Sequence, residues 1–153
     1  MALRTFSRTG GWTDHNPVAF RSGLEESIAK KLLTQGVPIV FEQYTIKYVI
    51  PASNHVYTPD LILPNGIIIE AKGLFEVDDR KKHLLVKEQY PQLDIRFVFS
   101  NPKQKIYKGS KTTYAMWCTQ HGFKFAAKFV PEDWLKESRK ITQGLVEKKR
   151  KGD

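Results

Sequence analysis

The chain has 153 residues, 41% of them hydrophobic and 12% aromatic, which suits one ordinary globular domain with a sizeable core. Twenty-five lysines and arginines against sixteen acids leave a formal charge of +9, so polyanions are the expected partners. No run approaches the roughly eighteen apolar residues of a membrane span, the N-terminus lacks the apolar stretch of a secretory signal, and the single cysteine, Cys118, excludes an internal disulfide or a multi-cysteine zinc site. A reducing, cytoplasmic setting is expected, with no membrane partner.

Residues 1–18 carry Arg4, Arg8, Trp12, His15 and Pro17 without periodicity and read as a flexible basic arm, either ordered by a phosphate backbone or without a role. From Ser22 the spacing predicts a helix, capped by Ser22 with Glu25 three residues on and stopped by Gly36. On a wheel of about 100° per residue, Leu24, Ile28, Ala29 and Leu32 form an apolar stripe that includes Glu25 and leaves Glu26 outside. Capping alone explains Glu25, but an inward carboxylate is also a candidate metal ligand, and the second reading is favoured. Val37–Ile50 reads either as one strand of unusual length, able to reach a second subunit, or as two shorter strands with a bend.

The most informative stretch runs from Tyr57 to Gly73. Leu61–Leu63 and Ile67–Ile69 are short apolar runs around Pro64-Asn65-Gly66, a hairpin turn in which Gly66 takes the left-handed position. The implied register pairs Leu63 with Ile67, Ile62 with Ile68, Leu61 with Ile69, and therefore Asp60 with Glu70. Opposed residues have β-carbons about 4.5–5.5 Å apart, where like charges repel, so a cation is expected between them. Lys72 points to the same strand face as Glu70 and could serve alone in a salt-bridge cluster. Two hard oxygen ligands also suit Mg²⁺ or Mn²⁺, and apolar runs on both faces of the hairpin favour that alternative.

Further along, Phe75–His83 and the apolar residues to Tyr90 predict a helix started by an aspartate and ended before Pro91, with Arg80, Lys81, Lys82 and His83 near its first turns. Basic residues there oppose the helix dipole and are accounted for if phosphate is their partner, although a solvated face is the commoner meaning of such a run. Leu93–Ser100 predicts a buried strand. Lys103, Lys105, Lys108 and Lys111 cluster around Tyr107 and Gly109 in a loop or edge strand, Thr112 or Thr113 opens a helix closed by Gly122 with Cys118 in its core, and Pro131–Leu135 opens a short last helix. The order strand, helix, strand predicts an α/β fold, a mixed central sheet flanked by helices. Residues 19–136 form the domain, and 137–153, with Lys148-Lys149-Arg150-Lys151, are expected to be a disordered basic tail.

Pro59-Asp60, nine residues, then Glu70-Ala71-Lys72 resembles the signature of the restriction-endonuclease-like nucleases. With Phe20–Glu25, Tyr48–His55, Asp78–Leu85, Tyr107–Ser110 and His121-Gly122, the chain resembles the phage endonuclease I family over about residues 19–136. That resemblance implies a restriction-endonuclease-like core and an intertwined, strand-exchanged homodimer, in which Glu25 of one subunit joins Asp60, Glu70 and Lys72 of the other. It further implies one or two Mg²⁺ ions per site, replaceable by Mn²⁺ and held by Asp60, Glu70, Glu25 and the carbonyl of Ala71. The implied activity is resolution of four-way and other branched DNA junctions by paired phosphodiester hydrolysis that leaves a 5′ phosphate and a 3′ hydroxyl, in the cytoplasm of an infected bacterium. Arg21, Arg80, Lys81, Lys82, His83, Lys103, Lys105 and Lys108 are the candidate DNA contacts. A duplex-cutting nuclease and a non-catalytic DNA-binding protein are the competing readings.

Overall fold

The computed structural model describes residues 22–50 and 52–148; the expected N-terminal arm, Arg21 and the last five residues of the tail lie outside the described residues. Helix α1, Gly23–Thr34, begins as the sequence predicts: the Ser22 hydroxyl accepts the Glu25 N–H at 3.1 Å. It ends at Gly36, which takes φ +74 so that the N–H of Val37 can return to the carbonyl of Leu32. Its buried face is Glu25, Ile28, Ala29, Leu32 and Leu33.

The stretch after α1 is two strands, not one. β1 is Val40–Phe41 and β2 is Tyr44–Ile50, and between them Glu42 turns the chain with φ 49, a left-handed conformation uncommon outside glycine. β3, Ser53–Tyr57, pairs back on β2. β4, Leu61–Ile62, and β5, Ile68–Lys72, form the predicted hairpin in the predicted register, Leu61 opposite Ile69 and Ile62 opposite Ile68. The Leu63 N–H reaches the Ile67 carbonyl at 2.9 Å, and Gly66 has φ +89.

Helix α2, Val77–Gln89, starts one residue before the expected aspartate, and Asp79 accepts the N–H of Glu76 at 3.3 Å. β6 is Ile95–Phe99, α3 is Tyr114–Gln120 with Thr113 as its cap, β7 is Phe125–Ala127 and α4 is Glu132–Leu135. The segment expected to be a disordered tail is ordered as far as it is described: β8, Leu145–Glu147, pairs with β2.

Five strands in the order β1-β4-β5-β6-β7 make a mixed sheet, antiparallel from β1 to β5 and parallel from β5 to β7. Alternation sorts its side chains. Leu61, Ile69, Ala71 and Val98 pack with α1 and Trp134 on one face, while Ile68, Phe97 and Phe99 pack with Phe75, Val86, Trp117 and Cys118 on the other. Helices therefore cover both faces, as expected of the α/β order. β3, β2 and β8 form a second, antiparallel sheet, joined to α2 by the Gln89 amide, which bonds both the N–H and the carbonyl of Val49.

Two polar devices brace the hairpin turn. The Asn65 amide donates to the carbonyls of Trp134, at 2.8 Å, and Glu137, at 3.2 Å, while a side chain at Gly66 would meet the Lys140 carbonyl at 3.0 Å. Alongside, Arg96, wholly buried on β6, forks onto Asp94 and Glu137 and lies 5.0 Å from the ring of Trp134. The paired guanidinium holds the Glu137 carboxyl down at about 2.

Candidate active site

The site lies where the hairpin strands end, beside the carboxyl ends of the parallel strands, the usual location for ligands in such sheets. Asp60 is the last residue before β4. Its carboxylate accepts the N–H of Ala71 at 2.9 Å and so ties one strand end to the other. Of Ala71, then, the structure engages the N–H with Asp60.

Glu25, Glu42 and Asp60 gather here, with one carboxylate oxygen of each within 4.8 Å of the others. α1 brings Glu25 from one face of the sheet, and the left-handed corner at Glu42 brings the third acid; the Glu42 N–H also approaches the Asp60 carbonyl at 3.4 Å. Glu25 is 4% exposed and Asp60 1%. Ionised carboxylates at that burial are costly unless charge or hydrogen bonds compensate them. Three hard oxygen donors crowded together fit a Mg²⁺ or Mn²⁺ ion and do not fit a soft metal.

Glu70 adjoins this cluster but turns to other partners. Its Oε2 accepts the Tyr57 hydroxyl at 2.6 Å, and its Oε1 lies 3.6 Å from Lys72 Nζ. Burial first, then the charge of Asp60, raises the Glu70 pKa to about 7, with Lys72 and Tyr57 opposing. Lys72 also donates to Asp79 at 3.1 Å. Burial works against its ammonium, but Glu70 and Asp79 outweigh that and its pKa stands above the ordinary lysine value. Lys72 is therefore a cation here.

The candidate DNA contacts divide. Arg80 and His83 point inward: Arg80 donates to the carbonyls of Phe75 and Ile106, and His83 sits edge-on to Tyr57 and Phe97. Burial, then Lys82 and Lys72, hold His83 well below its usual pKa, so its ring is neutral and its 3.9 Å approach to Glu70 is no ion pair. Neither residue is placed to meet a phosphate. Lys81, Lys103, Lys105 and Lys108 are exposed, and Lys82 is half-buried with its ammonium 5.1 Å from the Tyr57 ring.

Reading residues in sequence missed Glu42, Tyr57 and Asp79 as site residues. Glu42 hides in what reads as continuous strand. Tyr57 carries a usable signal, since it stands two residues before the Pro-Asp pair, and Asp79 sits one helical turn behind Lys82. Glu25 and Asp60 meet within a single chain, so the exchange of strands expected from the resemblance is not needed to bring them together.

Residues 7–153 match the family model described as phage endonuclease I. The chain is 57% identical over 122 residues to the Endonuclease I of Escherichia phage T7, a match that covers 80% of this chain and 82% of that protein. It is 56% identical over 122 residues to the Endodeoxyribonuclease 1 of Enterobacteria phage T3, covering 80% of each.

Proposed function

The chain belongs to the phage endonuclease I family, and on that premise we propose that it is a divalent-metal-dependent endodeoxyribonuclease that resolves four-way and other branched DNA junctions by paired phosphodiester hydrolysis. The observation that carries the reading is the gathering of buried Glu25 and Asp60 with half-buried Glu42, beside Glu70 and Lys72.

Asp60 and Glu25, with Glu42, Glu70 and the carbonyl of Ala71 in reach of the same strand ends, would hold one or two Mg²⁺ ions, or Mn²⁺ in their place. When bound, the ion supplies an acidified water and positive charge for the leaving oxygen. The protein's own groups do the rest. Lys72, cationic and fixed by Glu70 and Asp79, holds the phosphate and offsets the negative charge that develops on it. The Tyr57 hydroxyl fixes the orientation of the Glu70 carboxylate. The hairpin register sets Leu61 opposite Ile69, the neighbours of Asp60 and Glu70, and Asp60 is further steadied by the Ala71 N–H.

Two such sites in a homodimer on a restriction-endonuclease-like core would make the paired cuts of a branched junction, and the stretch Val37–Ile50 would be the bridge by which the subunits exchange strands. Lys81, Lys82, Lys103, Lys105 and Lys108 are the proposed contacts to the DNA backbone, which report the geometry of the arms and not the bases. The host cytoplasm is the proposed place of action; among the described residues no helix is long and apolar enough to cross a membrane.

A four-way junction and a linear duplex of the same sequence, each with and without Mg²⁺, test the reading. The junction is cut with Mg²⁺ and the duplex is largely spared, while Glu70→Ala and Lys72→Ala lose cleavage and keep junction binding. Equal cutting of both substrates would make the protein a duplex nuclease, and undiminished cutting by either variant would remove the assigned site.

A further inference from the structure

A shallow groove of about 520 Å³ opens beside the site, between the chain leaving β5 at Leu74–Glu76 and the basic loop at Gln104–Lys108, with Tyr114 at its floor. Its rim is apolar where solvent meets it: Leu74 and Tyr107 are each 63% exposed. Lys105 and Lys108 line it and are exposed, and Lys103 and Lys111, close to them in the chain, are exposed too. An aromatic ring and an aliphatic lip surrounded by ammonium groups suit a flat apolar body that carries negative charge, which is the chemistry of a nucleotide.

The groove is also built in advance of any ligand. Buried Arg80 ties its two lips together by donating to the carbonyl of Phe75 on one and of Ile106 on the other. The Tyr114 hydroxyl accepts the N–H of Phe75 at 3.1 Å, and the Ile106 N–H returns to Thr112 at 3.0 Å. A ligand arriving here orders little chain, so little of its binding energy is lost to immobilisation. Leu74 follows Lys72 by two residues, a backbone span of at most about 7 Å, so the groove opens on the same stretch of chain that carries Lys72.

We propose that this groove receives a nucleobase unstacked from the DNA beside the cut phosphate, with Tyr107 as the stacking surface, Leu74 as the opposing lip and Lys105 and Lys108 on the flanking phosphates. The proposal rests on the nuclease reading above. Turning a base out costs least where its pairing is interrupted, which branched DNA offers more often than an unbroken duplex.

Binding of a four-way junction is measured in chelator, so that no strand is cut, with an abasic nucleotide placed at each position near the cleaved phosphate in turn. Tyr107→Ala weakens binding about 5- to 150-fold, while Tyr107→Phe and Tyr107→Trp stay within about twofold, all three melting like the parent because the side chain is exposed. One abasic position weakens the parent by a similar factor and leaves Tyr107→Ala unchanged, since base and ring are then one interaction. Parent-like binding by Tyr107→Ala, or equal damage from alanine, phenylalanine and tryptophan, overturns the groove assignment. If the parent fails to cut DNA with Mg²⁺, the nuclease reading falls separately, because the affinity series needs no cleavage.

Discussion

The same sheet buries charge in two places and treats it in opposite ways. Around Arg96, unlike charges are matched: the guanidinium forks onto Asp94 and Glu137, and Lys140 adds a further bridge to Glu137 at 3.0 Å. At the strand ends by Ala71, like charges are crowded, with three carboxylates within 4.8 Å and a fourth, Glu70, whose pKa is pushed up to about 7. A matched cluster is complete and serves the fold. A crowded one with a perturbed carboxyl in it is a candidate for chemistry, since a bound cation would draw its acids together.

That contrast can be broken most severely at Arg96. Arg96→Met leaves Asp94 and Glu137 without the guanidinium that holds both and is expected to lower the urea midpoint more than any other single change named here. Next comes the ligand set. Glu42→Gln should raise the Mg²⁺ concentration needed for half-maximal cutting by about 100-fold, a loss of about 2.7 kcal/mol.

Tyr57→Phe is a smaller disturbance. It removes one hydrogen bond to a carboxylate, worth about 1.5 kcal/mol, so the cleavage rate at saturating Mg²⁺ should fall about tenfold while junction affinity holds. The smallest effect is in pH. Glu137 has a folded pKa depressed to about 2, so the stability it contributes is fully present above the ordinary carboxylate range and is lost as pH falls through its folded value. Acid denaturation between about pH 4.5 and 2 should therefore be shallower in Glu137→Gln than in the parent, and an identical acid limb would show that Arg96 does not depend on it.

What the sequence revealed follows the range of the interactions. The hairpin was legible to the residue because Pro64-Asn65-Gly66 and a period of two fix it locally, and the inward face of Glu25 was legible from helical spacing. Glu42 was not, because nothing in Val-Phe-Glu-Gln-Tyr announces that a glutamate will take a left-handed backbone and interrupt the strand. The Arg80–His83 run misled for a different reason. Composition marks it as basic surface, yet Arg80, His83 and Val86 recur every third residue, the stripe by which α2 meets the sheet. The partner of Arg96 was beyond local reasoning, since Glu137 stands 41 residues away.

The brace on the hairpin turn carries a consequence for biosynthesis. The turn that sets Asp60 against Glu70 is fastened by Trp134 and Glu137, 69 and 72 residues further along. Contacts of such sequence separation form late, because a long loop must close before they are rewarded. A chain still emerging from the ribosome would hold both acids and the lysine without the fastening, and competence to cut is expected only once the region from Trp134 onward has been made.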